Sequence, residues 1–218
     1  MGFRGDEFAA AVVASGEVKQ MSIKSFNQNL MYAAPTDYSE LDDYIAHNVA
    51  KNHLLKSEVT PISSKVTRED IYSRRSARFF EDKALSEEDT EHFMQLASSA
   101  NHSVSCYNIL LRDSSKRAGI YLKGKLVKEG YFAELLTKIL VEQSFIKNAQ
   151  IITVVTAEYF SANKLIQAGA LVHNLYLEAE SKKLGCSGIG AFYDEKLQNF
   201  LSTDAYILYV SAVGVQKK

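Results

Sequence analysis

Three arginines and a serine fall within five positions, Arg74-Arg75-Ser76-Ala77-Arg78, and their shared chemistry is that of an anion site. A guanidinium presents paired N–H donors in a planar fork that matches two phosphate oxygens, and the serine hydroxyl adds a smaller donor. A solvated basic helix end has the same composition, so the cluster alone leaves both readings open. A second segment, Leu184-Gly-Cys-Ser-Gly-Ile-Gly-Ala-Phe-Tyr-Asp194, carries glycines at 185, 188 and 190. Glycine lets the main chain approach a planar ring and offer it N–H groups. A helix C-cap followed by a tight turn uses glycine as well, and with no strand expected to lead into it the segment is not a dinucleotide fingerprint.

Other reactive side chains are isolated. His173 falls inside a helical pattern beside Asn174 and reads as a core or interface histidine. Cys106 and Cys186 have no histidine next to them and read as buried thiols. His47 and His53 are six apart, a spacing that does not share one helix face for metal binding. Glu87 and Glu88 suit the first turn of a helix, where the macrodipole favours acids, better than an acid/base pair. No metal site and no catalytic side chain is expected.

The whole chain constrains these readings. Its 25 basic residues against 26 acids leave a net charge of −1, so no global field exists to hold nucleic acid or an anionic membrane, and any anion must be held locally. With 218 residues, 46% of them hydrophobic, the chain can bury a core without disulfides or metal. Two cysteines are too few for a disulfide framework, which fits a reducing cytoplasm. The apolar run Phe8 to Ala14 follows Asp6 and Glu7 and is shorter than most signal cores, so secretion is not expected. No stretch reaches the roughly 20 apolar residues that span a bilayer.

The elements that must position the two segments can be read in order. Residues 1–38 read as a leader or arm, followed by an amphipathic helix over about 40–55, capped by Ser39 and Asp42, and a linker over 56–66. The domain proper is expected over 67–218. It opens with two capping boxes, Thr67 to Asp70 and Ser86 to Asp89, each starting a helix. A strand follows at Tyr107 to Arg112, then a hairpin over 119–130 turning at Lys123-Gly124 and a helix over 131–143. The β-branched run Ile151 to Thr156 reads as a strand covered on both faces in mid-sheet. A long central helix, Ala162 to Leu184, is expected to stop at Gly185, with a loop over 185–193, a short helix ending near Leu201 and a strand Tyr206 to Val213. The fold class is α+β, a mixed or antiparallel sheet wrapped by helices.

In this order the segments resemble the FMN-dependent nitroreductase family across about residues 67–218. Ile71-Tyr-Ser-Arg-Arg-Ser-Ala-Arg-Phe-Phe80 is similar to that family's opening R-R-S-x-R-x-F. Ala168 to Ala179 followed by Leu184-Gly-Cys is similar to its central helix. Gly188 to Asp194 is similar to its flavin loop, and Leu208 to Gly214 to its last core strand. Within the family, Gly119-Ile-Tyr-Leu and Glu142 to Ala149 most resemble the azoline-oxidising SagB-type dehydrogenases, whose Lys-Tyr pair before the central helix is replaced here by Lys164-Leu165.

The resemblance implies a homodimer with FMN at its interface and a ping-pong oxidoreductase. NADH or NADPH would deliver hydride to flavin N5, and a nitroaromatic, quinone or similar small molecule would then accept it. Arg74 and Ser76 would hold the phosphate and ribityl chain, supported by Arg75, with Arg78 near N1 and O2. The main chain of Gly190 and Ala191 would face N5 and O4, with Gly188 and Ile189 shaping that loop. Asn101 and Ser103 would touch the ring from the second subunit, in a loop lacking the family's proline, and Lys217 would close on the phosphate. The flavin carries the chemistry. An FMN-binding scaffold or sensor without turnover is the alternative, as is an azoline dehydrogenase.

Overall fold

The computed structural model describes residues 65–98 and 104–217. The arm, the helix expected over about 40–55, and the candidate ring contacts Asn101 and Ser103 lie outside the described residues.

Six strands form one antiparallel sheet: β1 (Ser105–Leu110), β2 (Gly119–Leu122), β3 (Lys125–Glu129), β4 (Ile151–Ala157), β5 (Gly185–Ile189) and β6 (Tyr206–Gly214), in the order β3-β2-β1-β4-β6-β5. β4 is buried along its whole length between β1 and β6, as its β-branched run predicts. Successive residues of β4 face opposite layers. Ile152 and Val154 pack with Leu136, Ile146, Leu197 and Phe200, whereas Ile151 and Val155 pack with Phe93, Leu171 and Leu175. Helices α1 (Arg68–Ser73), α2 (Glu87–Ser98), α3 (Ala133–Ile139), α4 (Ala162–Ser181) and α5 (Asp194–Leu201) supply those layers, and α4 is the long central helix.

The first box forms in full, and at the second Ser86 caps α2 through its side chain. Thr67 and Asp70 cap α1 reciprocally, and Ser86 Oγ accepts the Asp89 N–H at 3.0 Å while donating to the Asp89 carboxylate at 2.7 Å. Ser86→Ala should therefore cost about 0.5–2 kcal/mol in urea denaturation. The hairpin turns at Lys123 and Gly124, both with positive φ (49° and 76°), the conformation a two-residue turn with right-handed strand twist requires.

The first strand runs Ser105–Leu110 rather than Tyr107 to Arg112, and three further boundaries differ from the sequence reading. The helix expected over 131–143 ends at Ile139, because Val141 and Glu142 adopt positive φ, and a 3₁₀ turn (Ser144–Asn148) follows. The central helix ends at Ser181, with Lys183 rather than Gly185 taking the left-handed conformation (φ 58°). Gly185 instead opens β5, where a loop was expected. Its pairing with Gly214 of β6 is a long-range contact that local glycine content conceals.

Candidate functional site

Helix α1 ends where the arginine cluster begins. Arg74 leaves helical geometry (φ −47°, ψ 128°), and Ser73 Oγ is tied to Glu180 of α4 at 2.8 Å, which fixes where the chain departs. The following residues lie along the free edge of β5. Ser76 pairs in parallel with Cys186, and the Ala77 N–H donates to the Cys186 carbonyl at 2.8 Å. Further on, Phe80 pairs with Gln216, Glu81 donates to the Val215 carbonyl at 2.8 Å, and Lys217 donates to the Phe79 carbonyl at 3.1 Å. The basic cluster, the glycine segment and Lys217 therefore meet at one sheet edge, although well over a hundred positions separate the first from the last.

Glycine permits this approach. A Cβ on Gly185 would stand 2.8 Å from Ala77 Cβ and 3.0 Å from Phe80, and one on Gly214 would stand 3.0 Å from Phe80. At Gly190 a Cβ would meet nothing within 4 Å, so that main chain faces open space.

The side chains of the cluster divide by task. Arg75 turns back onto the end of α1 and donates to the carbonyls of Tyr72, Ser73 and Arg74 at 2.8, 3.1 and 2.9 Å, which satisfies acceptors the helix leaves open. Arg74 stacks its guanidinium 5.0 Å from the Tyr176 ring. Arg78 donates to Ser187 Oγ and lies 5.4 Å from the Phe145 ring. Among the described residues neither Arg74 nor Arg78 pairs with a carboxylate, so both keep charge and donors for a ligand. Ser76 is exposed, its Oγ 2.8 Å from the Tyr176 hydroxyl. The loop after β5 is held by Gln143, which donates to the Ala191 carbonyl at 3.1 Å, and by the Tyr193 N–H on the Ile139 carbonyl at 3.0 Å. Ile189 is buried beneath it.

Other residues weighed from the sequence stand apart from this chemistry. Both cysteines are buried free thiols, and burial pushes Cys106 up to about 12 and raises Cys186 as well, which keeps them protonated and unreactive. His173 is exposed on α4 rather than in the core, and partial burial with the Arg74 charge alongside holds its imidazole below the usual value. Tyr176, Ser187 and Phe145 touch the cluster, yet none stood out in the sequence as a site residue, because each occupies a position its own element would give to packing. Among the described residues no helix is long and apolar enough to cross a membrane.

Comparison with known proteins places the chain in a family. The model of the nitroreductase family matches residues 71–215. A nitroreductase homologue of Methanocaldococcus jannaschii is 30% identical over 84 residues, covering 34% of this chain and 42% of that protein. Among solved structures, a nitroreductase homologue from Anabaena variabilis superposes with a TM-score of 0.64 at 17% identity, covering 85% of this chain and 49% of that one. A nitroreductase homologue from Desulfovibrio desulfuricans, solved in complex with FMN, gives 0.55 at 19% identity over 72% of this chain and 89% of that one. The chain thus spans less than half the length of the archaeal and cyanobacterial proteins it matches.

Proposed function

The chain belongs to the nitroreductase family, and on that premise we propose that residues 67–218 form an FMN-binding domain working as an NAD(P)H oxidoreductase. The observation that carries this is the Arg74–Arg78 segment laid along β5, which puts two carboxylate-free guanidinium groups and an exposed hydroxyl beside an open glycine loop. That donor set fits a phosphate next to a planar ring.

Arg74 and Ser76 would hold the phosphate and ribityl chain, with Arg75 bracing the end of α1 that precedes them, and Lys217 would close on the phosphate from the chain's far end. Arg78 would place a permanent positive charge against the ring's pyrimidine edge, steadied by Ser187 and Phe145, and so favour electron-rich forms of a bound ring. The main chain of Gly190 and Ala191 would meet N5 and O4, with Gly188 and Ile189 shaping that loop, and Asn101 and Ser103 would touch the ring from the second subunit. When bound, FMN supplies hydride acceptance from NADH or NADPH and its passage to a nitroaromatic, quinone or similar acceptor, in separate half-reactions. The residues bind, orient and exclude water. Exposed Tyr72 and Phe79 (67% and 71%) flank the cluster and suit burial by a second copy of the chain, which supports a homodimer with the flavin between subunits.

The absorption spectrum of the purified chain tests the proposal. Expected is a flavin spectrum that bleaches on addition of NADH or NADPH. A bound flavin inert to both nucleotides would instead indicate a scaffold or sensor, and a colourless protein after FMN addition would overturn flavin binding. The SagB-type reading is favoured by the 142–149 segment, whose Phe145 lies against Arg78, and its assay is oxidation of a peptide azoline by the FMN-loaded chain.

A further inference from the structure

Tyr176 projects from α4 into the seam between the basic segment and β5. Its ring packs against the core beside α4, with the Arg74 guanidinium 5.0 Å from its centroid. Its hydroxyl oxygen touches two groups, accepting the Gly188 N–H and lying 2.8 Å from Ser76 Oγ. Gly188 has no room for a side chain there, since a Cβ would come within 2.7 Å of the Tyr209 hydroxyl and 3.4 Å of that of Tyr176.

Proton counting gives these contacts a direction. A main-chain N–H only donates, so the Tyr176 oxygen is the acceptor toward Gly188 and its own proton goes elsewhere. Among the described residues, Ser76 Oγ lies within hydrogen-bond distance to take it. Once Ser76 accepts from Tyr176, its own proton turns away from the protein, and the chain Gly188 N–H to Tyr176 O–H to Ser76 O–H presents an outward donor strengthened by the two bonds behind it. A phosphate only accepts, and is the group such a donor suits best.

We infer that Tyr176 is a positioning residue that fixes Ser76 as a donor and thereby makes the site prefer a phosphorylated flavin to its unphosphorylated parent. The inference rests on the FMN reading above. It concerns neither the ring nor the redox step, so its test is a ratio of affinities.

The full chain, freed of flavin, is titrated with FMN and with riboflavin, following flavin fluorescence. The unaltered chain should prefer FMN. Tyr176→Phe keeps the ring beneath Arg74 and removes only the hydroxyl; it should weaken FMN about tenfold while riboflavin binds as before. Ser76→Ala, at an exposed position where folding is not at stake, should lose the same preference, and the double variant should lose no more than either single one. Equal weakening of both ligands by Tyr176→Phe would mark a general structural prop and overturn the inference, as would an undiminished preference. If the unaltered chain binds neither flavin, the FMN reading itself fails. If it binds FMN and Tyr176→Phe keeps the preference, only the inference fails.

Discussion

Replacing Arg74 or Arg78 by alanine is expected to weaken FMN binding by about 10- to 100-fold each, because each loses a charge-assisted contact worth about 1.5–3 kcal/mol and every 1.4 kcal/mol is tenfold. Neither guanidinium is engaged by a carboxylate among the described residues, and Arg78 is exposed. Removing either should therefore leave the thermal midpoint nearly unchanged. That separates loss of a ligand contact from loss of fold. Lysine at the same positions restores the charge but not the fork, so it should recover binding only in part. Equilibrium dialysis of FMN against each variant measures the effect, and undiminished flavin content in both alanine variants would refute the site.

The other large effect is expected at Gly185. Valine there would put its Cβ 2.8 Å from Ala77 and 3.0 Å from Phe80, contacts made by buried groups of the segment that carries the arginines. The segment must lift from the edge of β5 or the sheet must open. Overpacking of this kind costs about 1–3 kcal/mol, visible as a lower urea midpoint. FMN retention should fall with it, because Ser76 and Ala77 lose their pairing to Cys186. Gly190→Ala is the contrast. With nothing within 4 Å of its Cβ, its folding stability should stay within about 0.5 kcal/mol of the unaltered chain.

The contrast between these glycines shows which parts of the site were legible in the sequence. Reactive residue types are visible one at a time, so Arg74, Ser76, Arg78 and the glycines of 185–190 stood out by chemistry and order. Tyr176 did not, because an aromatic at an apolar helical position has the same local signature whether it fills a core or turns a hydroxyl into a seam. Arg75 was counted with its neighbours, yet its Nη1 donors are spent on the carbonyls of Tyr72, Ser73 and Arg74. Which of the three clustered arginines caps a helix depends on the direction the chain takes after Ser73, and composition does not carry that.

The helix caps at Thr67 and Ser86, the Lys123-Gly124 turn and the buried run of β4 were determined by sequence alone, since each depends on residues within a few positions of one another and on side-chain periodicity. The termination of the central helix at Ser181, the conversion of the 185–189 segment from loop to strand, and the meeting of residues 76–81 with Cys186 and with 215–217 were decided by tertiary structure. Those outcomes turn on hydrogen bonds between distant main-chain groups and on the few ångströms that a missing Cβ opens. The arginine-serine cluster is thus a property of the sequence, and its standing as a candidate site is a property of the fold, which alone brings β5 and residues 215–217 alongside it.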